Sequence, residues 1–590
     1  MCGIACYVGS SRKIKLLVDA LEKLEYRGYD SAGVGFLENG QLNQIKSVGN
    51  IAKFKEKIDL NKNVSCAISH TRWATHGKVT TENAHPHFSK NSSWAVVHNG
   101  IIENYEKIKN KLNIIPKSET DTAVVAQLLE ENKVDNIIEF IKVFQKIDGS
   151  YAVAAINNSN VNTLFLAKKN SPMFVAKNNG DFLIVSDLVC IQDFSKNYFE
   201  MNDNEFALVS NGKIKFYNSC AEVINKNLQQ ITDEFQHISK EKYQHFMIKE
   251  IYEEPQAIEQ QVEIYKKQQI LNKFDKDFIQ NIKEIKFIGC GTAYHAGLVG
   301  AQFCEDLLNI PASAEVASEF VYKKCQFISN DKLYVFVSQS GETADTIKAL
   351  DIVKNKNAKF ISLTNVMHST MAKKSQFILP VCAGVEIAVA STKAYVCQLT
   401  ALYMFFSHLA NVIKNLHIDF YSNLLSLNSK IKKINFSKID SIAKYISSKK
   451  EVVFIGKGID YVTAAEASLK LKEISYINSS EFMSGELKHG YLALVENDTP
   501  IFVFACNQNL NLKTMNAAEE ARARGATIFY ITNDITLKEN KNVIFVDEKN
   551  PLLCAVFAIV PMQYLAYKVS VVKNINPDQP RNLAKSVTVE

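Results

Sequence analysis

Three apolar segments in the second half of the chain occur twice, in the same order and at nearly the same separation. FIGCG at 287–291 returns as FIGKG at 454–458, YVFVS at 334–338 as IFVFA at 501–505, and FISLTN at 360–365 as IFYITN at 528–533. The offsets are 167, 167 and 168 residues. A shared register over three strand-like segments implies duplication of one unit of roughly 150 residues, an ordinary domain size. Within each copy, runs of about five β-branched and aromatic residues alternate with helix-length stretches. That is the pattern of buried parallel strands in a doubly wound α/β sheet. The period is far too long for a solenoid.

At 590 residues the chain exceeds what one core can organise. The region before the repeat reads as alternating short strands and helices. Ile14, Leu17, Val18, Leu21 and Leu24 share one helical face, Ser31–Leu37 and Ala67–His70 read as strands, and Asp121–Glu130 as a helix. A polar stretch at 233–245, DEFQHISKEKYQH, leads into a helix expected from Phe246. The expected organisation is a domain over 1–235, a linker over 236–250, α/β copies over 251–425 and 435–572, and a tail over 573–590.

Hydrophobic residues make up 47% and charged residues 22% of the chain, the balance of an ordinary globular protein. The net charge of +6 is spread without a long basic run, which argues against nucleic-acid binding while leaving room for a local phosphate pocket. The 12 cysteines are scattered with no CxxC pair and read as reduced thiols. No secretory signal opens the chain, so a cytoplasmic location is expected. Tyr395–Ile413 and Pro551–Tyr567 are apolar enough to resemble membrane spans, but Gln398, His408 and Gln563 among them make buried core helices the expectation.

The chain begins MCGIACYVGS. Removal of Met1, expected before a residue as small as Cys2, leaves a thiol and a free α-amine on one residue. A thiol with a pKa of about 8.5 is only slightly ionised at neutral pH, and an α-amine titrating at about 7.7–8.0 can serve as its base, directly or through a water. Position alone fits a small buried residue at the start of a strand just as well.

The motifs that follow tip the balance. They are YRGYDSAG at 26–33, HTRWATHG at 70–77, NAHPH at 83–87, VHNGIIENY at 97–105 and SETDT at 118–122. With the opening CGI they resemble, in order and spacing, the class II glutamine amidotransferases, whose glutaminase domain is an N-terminal-nucleophile hydrolase of αββα architecture. The resemblance implies that Cys2 attacks the glutamine side-chain amide and that Asn99 and the Gly100 N–H receive the oxyanion. Arg72 then offers a fork for the α-carboxylate, Asp121 a counter-charge for the α-ammonium, and Thr75 and His76 further contacts. His85 and His87 flank Pro86, but no further ligand set accompanies them, so no metal is expected.

In the first copy, FIGCGTAYHAG and VSQSGETADT at 337–346 each run strand, small polar turn, helix, which aims backbone N–H groups at an anion. Thr292 lies in the first turn; Ser338, Gln339, Ser340 and Thr343 add donors in the second. Neither the Walker lysine pattern nor a full GxGxxG is present, so neither ATP nor NAD is indicated. With AVASTKAY at 388–395 these motifs resemble the sugar isomerase (SIS) domain, which binds phosphosugars and occurs in pairs. The second copy reads ACNQNLN at 505–511 where the first has its serines, so only the first is expected to keep a phosphate site. The second copy carries instead SLKLKEISYINSSEFMSGELKHG at 468–490. There Lys470 and Glu473 share a helix face and His489 follows a loop. A carboxylate and an imidazole suit proton transfer between C1 and C2 of a sugar and opening of its ring.

The closing DQPRNLAKSVTVE extends the likeness over residues 2–590, to the glutamine–fructose-6-phosphate aminotransferase (isomerising) family. The resemblance implies glutamine and fructose 6-phosphate as substrates, glucosamine 6-phosphate as product, and ammonia channelled past a Trp73 gate. It implies Glu473 as isomerising base, His489 as ring opener and Lys585 as the Schiff-base lysine. It implies a phosphosugar site at Thr292, Ser338, Gln339, Ser340, Thr343, Ser391, Lys470 and Lys488. It further implies a homodimer whose sugar site the partner chain completes, no cofactor, and no nucleic-acid or membrane partner. Lys585 is expected in the sugar pocket, its amine made neutral by burial or by Lys470 or Lys488 nearby.

Two departures stand out. Tyr491 follows KHG where the family commonly has proline, and AAEAS precedes Lys470 where ALEGA is commoner. The short linker favours a bacterial-type enzyme. Three other readings explain less. An amidotransferase making phosphoribosylamine or asparagine needs a phosphoribosyltransferase or ATP-using domain, which the repeat does not supply. A fructosamine-phosphate deglycase would be expected to lack the Cys2 set. A sugar-phosphate sensor needs no Glu473, His489 and Lys585 beside a glutaminase.

Overall fold

The computed structural model describes residues 2–231, 239–323 and 325–588. Its contacts divide the chain into two compact units, one drawn from residues 1–238 and 586–589, the other from 239–585.

Strand Gly3–Lys13 shows why the first unit is layered. Ile4, Cys6 and Val8 face one apolar core while Ala5 and Tyr7 face another, the two-residue alternation of a strand buried on both sides. It pairs antiparallel with Asn63–Arg72 and with Asp181–Val185 inside an eight-stranded sheet. A seven-stranded sheet built on Trp94–Ile102 and Gly149–Asn157 faces it across Ile68, Val97, Ala154 and Phe182. Helix Lys15–Lys23 covers one outer face through Leu17 and Leu21. Helices Asp121–Glu131 and Ile137–Phe144 cover the other through Val125, Leu129 and Phe140. The result is the expected αββα stack.

The second unit holds two five-stranded sheets whose pairs are all parallel, each with strands in the order 2-1-3-4-5 counted within its copy. The helix after each first strand repeats in detail. Thr292–Leu308 and Ile459–Ser475 are both 17 residues long, are entered through a glycine with positive φ (Gly291 +54°, Gly458 +60°), and end on a left-handed residue, Asn309 or Tyr476. Phe287 is fully buried beneath the first of these helices. A Cβ on Gly297 or Gly300 would come within 2.8 or 2.7 Å of it, so the glycines let helix and strand approach.

Helices Lys393–Lys414 and Pro551–Val572, long and apolar enough to cross a membrane, are buried in this unit over 78% and 94% of their apolar stretches. Helix Phe246–Lys267 begins inside the stretch 236–250 expected as linker, of which 236–238 lie outside the described residues. The tail is pinned to this unit. Asp578 accepts from Phe246 N and Met247 N, both at 2.8 Å, and so caps that helix where its dipole favours a negative charge. Val389 N donates to Asp578 O at 3.2 Å, and Arg581 N to Tyr476 Oη at 2.7 Å.

Phe287→Ala removes the side chain on which the first crossover helix rests. It should destabilise the second unit by about 3–5 kcal/mol, read as a lower midpoint for that unit's transition in calorimetry. A loss below about 1 kcal/mol would mean that helix and strand collapse together and close the gap.

Candidate functional site

In the first unit Cys2 is half-buried at the head of its strand. Its Sγ accepts from Trp73 N at 3.3 Å and lies 3.5 Å from Trp73 O. Burial pushes the thiol above its ordinary value, and the Trp73 N–H and Arg72 offset this only in part, so the sulfur needs a base. Met1, whose removal would free the α-amine for that task, lies outside the described residues. Asn99 Nδ2 donates to Cys2 O at 3.0 Å, and its buried Oδ1 has no hydrogen-bond partner among the described residues. Gly100 follows with φ +131°, where a Cβ would sit 2.0 Å from Ser150 O, so only glycine fits.

Arg72 ends strand Asn63–Arg72 and is 3% exposed. Its guanidinium donates to Lys78 O and Gly77 O at 3.3 Å, and to His76 O. The fork expected to take a carboxylate therefore also shapes the loop that carries Thr75 and His76. The His76 ring packs on Tyr105 with centroids 5.5 Å apart, and the Trp73 ring meets Tyr29 edge-on at 5.6 Å. Asp121, buried at the start of helix Asp121–Glu131, accepts from Ile102 N at 2.8 Å and Thr122 N at 2.9 Å.

In the second unit the paired crossover helices meet through charge. Lys470 Nζ lies 2.7 Å from Glu473 Oε2, 3.4 Å from Glu466 Oε1 and 3.0 Å from Thr292 Oγ1. Glu466 accepts from Thr292 Oγ1 at 3.0 Å and lies 2.7 Å from His295 Nδ1. Burial opposes both charges, yet Lys470, His295 and Thr292 hold the Glu466 carboxyl below its usual range. Glu473 and Glu466 likewise raise Lys470 above its usual value.

The loop after strand Lys332–Ser338 is built by Ser338, whose Oγ accepts from Gly341 N at 3.0 Å and lies 3.0 Å from Thr343 Oγ1. Gly341 has φ +65°, and a Cβ there would meet Ser369 Oγ at 2.1 Å. Thr343 is the N-cap of helix Ala344–Asn355, Asn365 N donates to Gln339 O at 3.1 Å, and Glu342 N donates to Ser340 Oγ at 3.2 Å. The second copy fills the corresponding place itself. Asp460 accepts from Cys506 N at 2.9 Å and Asn507 N at 3.0 Å, the residues that the 167-residue offset matches to Gln339 and Ser340. Burial lifts the Asp460 carboxyl to about 6 despite those two donors.

Lys585 is buried rather than solvated. It pairs with Glu386 and donates to Ala388 O at 2.8 Å. Its neighbour is thus a carboxylate and not the expected Lys470 or Lys488. Glu386 also accepts from Ser391 Oγ at 3.0 Å, Thr392 N at 2.9 Å and Ala394 N at 3.0 Å. Behind this loop, Glu250 accepts from Ile387 N at 2.6 Å and Ala388 N at 3.3 Å, while Glu254 finds no hydrogen-bond partner among the described residues. Burial pushes Glu250 up to about 8 and also lifts Glu254 well above its ordinary value.

Two expected residues stand apart within one chain. Lys488 is exposed and lies 2.8 Å from Glu520. His489 is exposed, and among the described residues no hydrogen bond or ion pair joins it to Glu473 or Lys585. Tyr491 is buried, its hydroxyl 3.0 Å from Glu451 Oε1 and its ring 4.7 Å from Phe482, so it fills a core and touches no site group. The reading of the residues missed Glu466, His295, Glu386, Glu250 and Glu254. The available signal was an acid at a core position of a helical pattern: Glu250 and Glu254 share a face with Met247, Ile251 and Ile258. Among the described residues no group of three or more His, Cys, Asp or Glu could hold a metal ion.

The SIS domain family matches residues 278–408 and 445–573, and the glutamine amidotransferase domain family matches 70–193. The fold and its two sites therefore define a glutamine amidotransferase domain joined to two SIS domains. A glutamine–fructose-6-phosphate aminotransferase (isomerizing) from Caldanaerobacter subterraneus subsp. tengcongensis is 40% identical over the whole of both chains, and those of Clostridium acetobutylicum and Bacillus subtilis are 39% and 38% identical over the same extent. The solved C-terminal domain of glucosamine-fructose-6-phosphate aminotransferase from Francisella tularensis covers 58% of this chain and 99% of its own, at 34% identity and a TM-score of 0.53. The chain belongs to the glutamine–fructose-6-phosphate aminotransferase (isomerizing) family.

Asp460→Asn keeps an oxygen acceptor for both N–H groups but cannot ionise. A carboxyl raised to about 6 in the fold contributes stability that is complete below about pH 4 and lost as the pH climbs through 6. Relative to the variant, the wild-type chain should lose about 2–3 kcal/mol between those limits and nothing further above them, measured by denaturant unfolding at a series of pH values. A constant difference across the range would mean that Asp460 titrates as an ordinary surface carboxylate.

Proposed function

We propose that the chain catalyses the reaction for which its family is named: it hydrolyses glutamine and uses the ammonia to convert fructose 6-phosphate into glucosamine 6-phosphate. The observation that carries this reading is the presence, in one chain, of a Cys2–Asn99–Gly100 thiol site and a buried Lys585 tied to an SIS pair.

At the first site the α-amine freed by loss of Met1 takes the Cys2 proton, and Sγ attacks the amide carbon. Asn99 Nδ2 and the Gly100 N–H hold the oxyanion, and fixed donors suit a charge that appears only as the bond forms. Arg72 and Asp121 engage the two ends of the free amino acid, with Thr75 and His76 beside them. Ammonia leaves, and water releases glutamate from the thioester. At the second site the phosphate binds the loop of Ser338, Gln339, Ser340 and Thr343, with Thr292 and Ser391 on the sugar. Lys585 must lose a proton to attack the C2 carbonyl, and its ion-pair partner Glu386 receives it. The C2 oxygen leaves as water to give the imine, ammonia replaces Lys585 at C2, and Glu473, oriented by Lys470, moves the proton from C1 to C2. We assign ring opening to His489 and a further phosphosugar contact to Lys488, both from the partner chain of a homodimer, which agrees with their separation from Glu473 within one chain. Trp73, whose backbone holds Sγ, gates the passage of ammonia. The organisation is an amidotransferase domain over 1–235, SIS domains over 251–425 and 435–572 and a catalytic tail over 573–590, in a cytoplasmic enzyme.

Incubation with both substrates should yield glutamate and an amino-hexose phosphate of the expected mass in equal amounts. Cys2→Ala should abolish glutamate release while sugar isomerisation continues, and intact mass should show Met1 absent. Full glutaminase activity with Met1 retained would exclude the α-amine as base.

Borohydride added with fructose 6-phosphate should attach the hexose phosphate to Lys585. Lys585→Arg should lose both labelling and synthesis, with glutaminase retained. Labelling at another lysine would overturn the assignment.

A further inference from the structure

Beneath the Cys2 site lie four histidines, His70, His85, His87 and His98, each no more than 5% exposed. The proposed chemistry uses none of them. Burial lowers all four, His70 to about 3, so they are neutral at working pH. Their partners decide which nitrogen carries each proton, because a carbonyl can only accept. His98 Nε2 faces Ser150 O at 3.3 Å and therefore donates. Its Nδ1 is then an acceptor and receives a hydrogen bond from the Thr122 hydroxyl at 2.9 Å, much closer than that hydroxyl's 3.5 Å approach to Asp121 Oδ1. Thr122 Oγ1 in turn accepts from His85 Nε2 at 3.0 Å. His70 Nε2 donates to His98 O at 2.9 Å. His87 Nε2 lies 2.9 Å from Thr120 Oγ1, and Nδ1 of His70 and of His85 have no hydrogen-bond partner among the described residues.

Two members of this one-way chain adjoin groups assigned to the substrate. His98 directly precedes Asn99 and Gly100 on strand Trp94–Ile102. Thr122 directly follows Asp121 and donates its N–H to Asp121 Oδ1 at 2.9 Å. Asp121 is also tied to the same strand by Ile102 N at 2.8 Å. We propose that Thr122 and His98 are positioning residues: their hydrogen bond fixes the distance between the groups that receive the oxyanion and the carboxylate that receives the α-ammonium. The chain thus measures its substrate, and reaction at the amide depends on an amine being present at the far end. This rests on the reading of Asp121 as the ammonium's partner.

The test compares kcat/KM for hydrolysis of L-glutamine with that for glutaramate, which lacks the α-amine. Thr122→Val, nearly isosteric but without the hydroxyl, should lower the preference for glutamine at least tenfold by reducing kcat on glutamine, and Thr122→Ser should restore it. An equal loss on both substrates, or an unchanged ratio, would overturn the proposal. If Thr122→Val does not fold, His85→Phe removes the donor at the start of the chain and should shift the ratio in the same direction; an unchanged ratio there would overturn it as well. Asp121→Asn is the control on the underlying reading. If it leaves the ratio intact, the ammonium assignment falls; if it collapses the ratio while Thr122→Val does not, only the positioning role falls.

Discussion

Glu466 and Lys470 are almost wholly withdrawn from water, at 0% and 1% exposure. Burying two ions costs several kcal/mol each unless every lone pair and proton finds a partner. Here both ions have close partners, which come from both copies of the repeat: Thr292 and His295 from the first crossover helix, Glu473 from the second. Neither copy could bury this set alone. Loss of one partner would strand a charge in the seam, a change that typically costs 3–5 kcal/mol. The pair is therefore also what fixes Glu473, whose side chain remains 21% exposed and free to meet a ligand.

Duplication made this seam possible, and divergence made it asymmetric. At the positions that the 167-residue offset matches to Glu466 and Lys470, the first copy has Val299 and Phe303, and the second has Ile459 and Val462 opposite Thr292 and His295. Each copy thus supplies one half of the polar set and apolar packing in the other half. The anion loops diverge in the same way. The first is closed on itself by Ser338 with its other donors at hand, while the second is occupied by the Asp460 carboxylate.

The tail follows a different logic. Eleven polar residues with two prolines cannot build a core, and such ends commonly fray. This one is held by a series of separate hydrogen bonds, at Asp578, Arg581 and Lys585. Its last anchor lands on Glu386 and Ala388, the loop that Glu250 holds from behind. Two buried carboxyls there, Glu250 and Glu254, form no ion pair among the described residues, where Lys585 pairs with Glu386 and Lys393 lies 2.7 Å from Glu253. Burial raises both acids, Glu250 to about 8, and Glu386 is the carboxylate that Lys585 meets.

Much of the architecture was legible in the residues because it depends on period and spacing. The alternation of Ile4, Ala5, Cys6 and Tyr7, the helical face from Ile14 to Leu24, and the three repeated strands are local or translational patterns, and translation along a chain survives folding. The residues proposed for the thiol site, Cys2, Arg72, Asn99 and Asp121, could be picked out because they sit in short motifs. Pairings between distant segments were not. That Glu386 meets Lys585 across 199 positions, that Glu466 meets His295 across 171, and that Asp460 fills the second anion loop follow from helices and loops brought together by the core. A buried charge is only as stable as its partner, and the partner is chosen by tertiary packing. Hence the sequence alone determined the elements, the duplication and the residue types available for chemistry. Only the folded structure decided which of those residues are charged, which are neutral, and which ones touch.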